Sequence, residues 1–318
     1  MSILVVGGAG FIGSVLIKRF LEEGKKVTVI DKLSLGSIDN INLSKVNFYQ
    51  IDVNEIDKVI NMIEDDNANI DEVWHLAANS DIPAGVKDVD VDLHDTFLST
   101  ISVLKIMKKI GCKKLYFSSS SAIYGDHQER LYEDIGPLLP ISNYGAMKLA
   151  SEAAITAALE SFLDEVAIFR FPNVVGIPAT HGVILDFMRR LKNDPSQLSV
   201  LGNGTQQKTY LHVTELVDAM LYIVKNSKER LSYYNIGAKD DGVLVKDIAE
   251  EVVRRVAPKA TIHYQNSDRG WVGDIPKFLY SVDKLTSLGW TPSNSSLQAI
   301  EKAVDQIAIQ EGLQGVPH

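Results

Sequence analysis

The sequence predicts an α/β protein built on a doubly wound parallel sheet, and three observations carry that prediction. Apolar runs with strand character recur at residues 3–6, 27–30, 47–51, 73–76, 114–118 and 166–171. Most of the gaps between them show helical periodicity, which makes the strands parallel and the helices crossovers. The first run also passes straight into the glycine-rich turn Gly7-Gly8-Ala9-Gly10-Phe11-Ile12-Gly13 and then into a helical run over 14–23.

That first strand, turn and helix form an anion cradle. A helix start is electropositive, and glycine lets a ligand approach its amides closely. The spacing is G-x-x-G-x-x-G at Gly7, Gly10 and Gly13, a variant of the usual dinucleotide fingerprint G-x-G-x-x-G. Asp31 ends the second strand, about 20 residues after the glycines, where a carboxylate accepts hydrogen bonds from a ribose diol and repels a 2′-phosphate. NAD is therefore expected over NADP, with Lys32 offsetting part of the repulsion. Further helices are expected over 55–65, 95–109 and 143–163. After Pro172 the pattern becomes irregular, punctuated by Gly176, Pro178, Gly182, Pro195, Gly202 and Gly204. A dinucleotide-binding domain over 1–172 is expected, with a smaller mixed α/β substrate lobe over 173–318. The two interleave, because a segment near 205–237 returns to the first. Val245, Ile248, Ala249, Val252, Val253 and Val256 mark one face of a later amphipathic helix.

Composition narrows the function. A chain of 318 residues can bury a large core. Its net charge of −9, with no long basic run, argues against nucleic acid or an anionic membrane as partner. No stretch reaches the roughly 18 apolar residues of a membrane span, and strand character begins at once, so a cytoplasmic protein without a signal peptide is expected. The single cysteine, Cys112, leaves no internal disulfide or cysteine-based metal cluster and reads as a packing residue. His75 and His212 lie in apolar strands and read as packed, hydrogen-bonded side chains; no metal site is expected.

Ligands of open parallel sheets bind beyond the carboxyl ends of the strands. Three segments there carry polar or small residues: His75-Leu76-Ala77-Ala78-Asn79, the serine run Ser118-Ser119-Ser120-Ser121, and Tyr144-Gly145-Ala146-Met147-Lys148. Tyr144 and Lys148 are four apart and share a helix face. A phenol is a poor base at neutral pH, but a neighbouring ammonium and a cofactor cation favour its ionised form. The expected catalytic set is Ser120 to orient a substrate hydroxyl, Tyr144 to exchange its proton, and Lys148 to tune Tyr144 and hold the nicotinamide ribose.

The ordered set GGAGFIG, Asp31, HLAA, FSSSSAIYG, YGAMK and RFPNVVG resembles the extended short-chain dehydrogenase/reductase family of nucleotide-sugar epimerases and dehydratases. Within it the chain is most similar to the UDP-glucose 4-epimerases, and the resemblance runs through LGNGTQQKTYLHVTELVDAM, YYNIGA and RGWVGDIP to LGW. It implies a Rossmann-type domain whose NAD is held by Gly7, Gly10, Phe11, Ile12, Gly13, Asp31 and Lys32. Asp52 and Val53 would lie beside the adenine and Ala77 and Ala78 along the cofactor, with Tyr144 and Lys148 also touching it. Ser120, Tyr144 and Lys148 match the family's catalytic positions. Ser120, Asn173, Val183, Lys208 and Arg269 would meet the nucleotide sugar. The implied reaction is 4-epimerisation through a transient 4-keto sugar, and the implied assembly is a homodimer formed by the helices over 95–109 and 143–163. Leu104, Met107, Ala154 and Leu159 are contact candidates that could equally face their own sheet.

Departures from the family pattern separate the readings. Family 4,6-dehydratases carry an Asp-Glu pair where Ser121 and Ala122 stand here, and without ionisable groups the elimination lacks an acid and a base. Thr96 stands where related epimerases have asparagine, and Lys208 where many have arginine, keeping the charge without the fork geometry. The alternatives are a C4 dehydrogenase or reductase on another nucleotide sugar and a non-catalytic NAD-binding scaffold. The triad spacing argues against the scaffold.

Overall fold

The computed structural model describes residues 1–66, 68–127, 129–268, 270 and 275–313. Two compact units emerge: residues 1–123, 140–170 and 220–234 form the first, and residues 124–139, 171–219 and 235–318 the second.

The first unit is built on a seven-stranded sheet. From edge to edge its strands are Leu231–Asn235, Glu165–Arg170, Lys114–Ser118, Glu72–His75, Ser2–Val6, Lys26–Asp31 and Asn47–Gln50. The six from Glu165–Arg170 to Asn47–Gln50 pair in parallel. Chain order reverses between Ser2–Val6 and Glu72–His75, so the connections from those two strands leave in opposite directions and open a crevice at their carboxyl ends. Ile3, Leu4, Val5 and Val6 are all within 1% of full burial, as expected for a central strand covered on both faces. Each such side chain contributes about 1.5–3 kcal/mol of burial.

Flanking helices complete this unit. Phe11–Glu22 follows the glycine turn, and Ile56–Asp65 buries Val59, Ile60 and Ile63. The helix expected over 95–109 is in fact two geometries: a π-helical turn, Leu93–Leu98, running into the α-helix Ser99–Ile110. Leu104, Met107 and Leu159 are buried in this unit's own core, and Ala154, partly buried, packs against it. Cys112 is buried in the same core.

The second unit has its own core. Helices Val183–Asn193, Val245–Val256 and Ser296–Gln310 pack their apolar faces together, with Ile248, Ala249, Val252 and Val253 buried as the periodicity predicts. Its strands are short: Asn173–Val175 pairs in parallel with Tyr210–His212, and Gln207–Lys208 runs antiparallel to Val243–Leu244.

Candidate active site

The glycine turn is shaped by close backbone packing. Gly7 has φ of 83°, and a Cβ there would lie 2.5 Å from the Ala77 amide nitrogen. A Cβ on Gly13 would lie 2.4 Å from the Gly7 carbonyl oxygen. Both positions need glycine for the fold itself. Gly10 differs, since a Cβ there would meet only the Gly7 oxygen at 3.4 Å, an ordinary contact. The helix Phe11–Glu22 that follows has Gly10 as N-cap and no side-chain cap, leaving its first-turn amides available to an anion.

Asp31 is fixed by two backbone donors. The Ala9 amide donates to Oδ2 at 2.9 Å and the Leu33 amide to Oδ1 at 2.8 Å. Each carboxylate oxygen keeps a second lone pair, so the group can still accept from a diol. Lys32 points elsewhere: its ammonium donates to Asp95 Oδ1 at 2.5 Å and to Asp52 Oδ2 at 3.4 Å. Burial pulls its pKa down, but the two carboxylates outweigh that and raise it, so its charge is already balanced within the protein. Val53 is buried beside Asp52, and Ala77 and Ala78 are half-buried where the strand Glu72–His75 ends.

Ser120, Tyr144 and Lys148 come together in the first unit. Tyr144 and Lys148 lie on the helix Asn143–Ser161, which Ser142 caps by accepting from the Gly145 amide at 3.1 Å. Gly145 lets that helix start against the serine loop, where a Cβ would lie 2.4 Å from the Ala122 oxygen. The Ser120 hydroxyl is close enough to the Tyr144 phenol to pull its pKa down, and its Oγ accepts from the Ala122 amide at 3.1 Å. Lys148 Nζ lies 5.8 Å from the Tyr144 ring centroid and 4.7 Å from that of Phe117, and it donates to the Ser118 carbonyl at 2.6 Å.

Burial dominates the electrostatics of the trio. Burial pushes the Tyr144 phenol up to about 12, with the Ser120 hydrogen bond pulling down and the Asp92 charge pushing up. Burial lowers the Lys148 ammonium to about 7, against the raising influence of Glu152 and Asp92. The protein's own groups therefore keep the phenol neutral. The neighbouring amine does not offset desolvation, and ionisation of Tyr144 needs a further positive charge.

Two networks support the trio. His75 is fully buried and held neutral, its pKa lowered to about 3 by burial and by the Lys148 charge. Its Nε2 lies 3.0 Å from the Thr100 hydroxyl, which is also 3.0 Å from the Thr96 carbonyl and from Ser151 Oγ. His212, in the second unit, bonds Thr214 and Gln306; like His75 it is packed and hydrogen-bonded. In the second network Arg170 donates to Glu152 through Nε at 3.0 Å and Nη2 at 2.7 Å, and Ser119 Oγ also bonds Glu152. Glu152 and Arg170 were not among the residues marked by sequence, although Glu152 continues the four-residue step from Tyr144 and Lys148.

Apart from Ser120, which is in the first unit, the described residues expected to meet the sugar nucleotide lie in the second unit. Asn173 pairs with Tyr210 at the start of its short strand, Val183 opens the helix Val183–Asn193, and Lys208 pairs with Val243. Arg269 and Trp271 fall outside the described residues. Among the described residues no group of His, Cys, Asp and Glu is arranged to hold a metal ion.

Residues 3–237 match the family described as NAD dependent epimerase/dehydratase. The chain belongs to that family. It is 27% identical to the UDP-glucose 4-epimerase of Lacticaseibacillus casei, the match covering 94% of each chain. Among solved structures it is similar to the UDP-glucose 4-epimerase of Thermotoga maritima with UDP-glucose, at a TM-score of 0.86 and 26% identity over 98% of this chain and 100% of that one. It is also similar to the Thermus thermophilus UDP-glucose 4-epimerase in complex with NAD, at 0.83 and 28% over 96% and 99%. The epimerase/dehydratase family is NAD-dependent, and the site fits that cofactor: Gly10 leaves room that the protein does not itself fill, beside uncapped helix amides and a carboxylate with free lone pairs.

Proposed function

We propose that this protein is an NAD-dependent nucleotide-sugar 4-epimerase acting on a UDP-glucose/UDP-galactose type of substrate. The observation that carries the reading is the joined set of Ser120, Tyr144 and Lys148 on the same unit as the glycine turn and Asp31. The relatives' activity and the UDP-glucose and NAD held by two of the similar structures support it.

In this reading the first-turn amides after Gly10 hold the pyrophosphate and Asp31 the adenosine ribose. Bound NAD supplies a positive nicotinamide ring that accepts and returns the C4 hydride. Ser120 orients the sugar 4-hydroxyl. Tyr144 takes its proton and later gives it back, so neither proton nor hydride is lost over a turnover. Lys148 keeps positive charge beside the phenol. Ser121 and Ala122 offer no acid or base for elimination, which favours epimerisation over 4,6-dehydration. Asn173, Val183, Lys208 and Arg269 are read as contacts to the nucleotide sugar, and the protein as a cytoplasmic homodimer. Among the described residues no helix is long and apolar enough to cross a membrane.

The test is conversion of UDP-galactose to UDP-glucose by purified protein without added NAD. Interconversion sustains the proposal. If no UDP-hexose is converted while another nucleotide sugar stoichiometrically reduces co-purified cofactor, the epimerase assignment falls to a C4 dehydrogenase.

A further inference from the structure

One buried carboxylate beside these groups has no role in the reading above. Asp92 ends the short helix Val89–Asp92 and is 0% exposed. Its Oδ1 accepts from Asn79 Nδ2 at 2.8 Å, while Oδ2 has no hydrogen-bond partner. That second oxygen lies against Gly85, where a Cβ would be 1.8 Å away. The Gly85 carbonyl in turn accepts from Asn143 Nδ2 at 2.8 Å, the residue before Tyr144. A half-bonded carboxylate is thus joined, through one glycine, to the first turn of the helix that carries Tyr144 and Lys148.

Charge balance gives this arrangement a meaning. Lys148 is 1% exposed, and its ammonium donates to a carbonyl. Glu152, one turn away, has both oxygens engaged by Arg170. A buried ammonium and a buried carboxylate, neither with a bonded counter-ion, stabilise each other across an interior that screens charge weakly. Resting on the epimerase reading, we propose that Asp92 is a positioning residue for proton transfer, a buried carboxylate whose charge, when ionised, favours a cationic Lys148 and a neutral Tyr144 phenol between turnovers. Burial raises the Asp92 pKa, the Asn79 bond lowers it, Asp95 and Asp81 raise it, and Lys148 lowers it. The other titratable groups on the elements around it are Lys87, Asp88, Asp90, His94, Tyr144, Glu152 and Glu160.

Removing this charge lets both Tyr144 and Lys148 lose their protons at lower pH, because a nearby anion favours the protonated form of each. In Asp92→Asn with NAD bound, whose positive ring lowers the Tyr144 pKa from its value in the protein alone, the acid limb of the kcat profile, set by Tyr144, and the alkaline limb, set by Lys148, move together toward lower pH by about one unit. KM for the sugar nucleotide stays within a factor of about two, a change worth less than 0.5 kcal/mol. Independently of turnover, pH titration of phenolate absorbance in the purified protein, with Tyr144→Phe subtracted, shows earlier ionisation in Asp92→Asn. Limbs and titration that stay at wild-type positions, or limbs that move apart, overturn the proposal. Should Asp92→Asn not fold, Asn79→Ala tests the same charge: it takes the amide from Oδ1, drives Asp92 toward its neutral form, and shifts both limbs the same way by less, whereas an unmoved profile overturns the role. Full turnover in Tyr144→Phe would remove the epimerase reading itself, an outcome separate from an unmoved titration.

Discussion

Two buried cations of the first unit, Lys148 and Arg170, meet burial in opposite ways. Arg170 has a bidentate carboxylate partner in Glu152, with both side chains 8% exposed, and its guanidinium sits 5.2 Å from the Tyr233 ring centroid. Lys148 has a carbonyl and two aromatic rings but, among the described residues, no ion-pair partner within salt-bridge distance, and burial lowers its pKa to about 7. The difference separates two uses of buried charge. A fully paired cation has its proton fixed and serves the fold; an underpaired one has a proton that is easily moved and serves chemistry.

The sharpest way to break that contrast is to remove the phenol that the underpaired cation serves. Tyr144→Phe should lower kcat by about 10²–10⁴-fold, the usual worth of a positioned acid/base, with NAD still bound. Steady-state turnover together with the absorbance of co-purified cofactor checks this, and unchanged turnover would take Tyr144 out of the mechanism. Next in size is the paired side of the comparison. Glu152→Gln leaves Arg170 buried without a counter-charge and should destabilise the fold by about 3–5 kcal/mol, measured by denaturant unfolding. A loss of activity without loss of stability would instead make Glu152 part of the chemistry. The smallest effect is expected at Asp31, outside this helix. Asp31→Ala removes a charged acceptor worth about 1.5–3 kcal/mol and should weaken NAD roughly 10–100-fold while leaving NADP less affected. Calorimetric titration with both dinucleotides reads the difference, and equal losses would undo the ribose assignment.

Much of the first unit is legible in the sequence because its signals are local. Strand and helix periods alternate through most of it, and the glycine turn and Asp31 sit where a switch-point crevice requires them. Tyr144 and Lys148 are legible for the same reason, since a four-residue step is one helical turn. The π-helical turn Leu93–Leu98 is not, because an i→i+5 ladder has no composition of its own. It leaves the Thr96 carbonyl to hydroxyls of Ser99, Thr100 and Ser151, which come from two different helices. Asp92 stands among Asp88, Asp90 and Asp95, and nothing local marks it as the one that is buried. Its partner Asn79 is 13 positions away, and the glycine it touches lies in another short helix. The ion pairs of Lys32 are illegible for a similar reason: it follows Asp31 in sequence, while the chain delivers Asp95 and Asp52 to it in space.

The contact between Gly85 and Asp92 ties two positions together as lineages diverge. A homologue that acquires a side chain at the first must turn, shorten or lose the acid at the second, since a Cβ at Gly85 would lie 1.8 Å from Oδ2 as it now stands. The two positions are thereby coupled. Drift at an inconspicuous helix glycine would be the outward trace of a change in how that branch manages its protons.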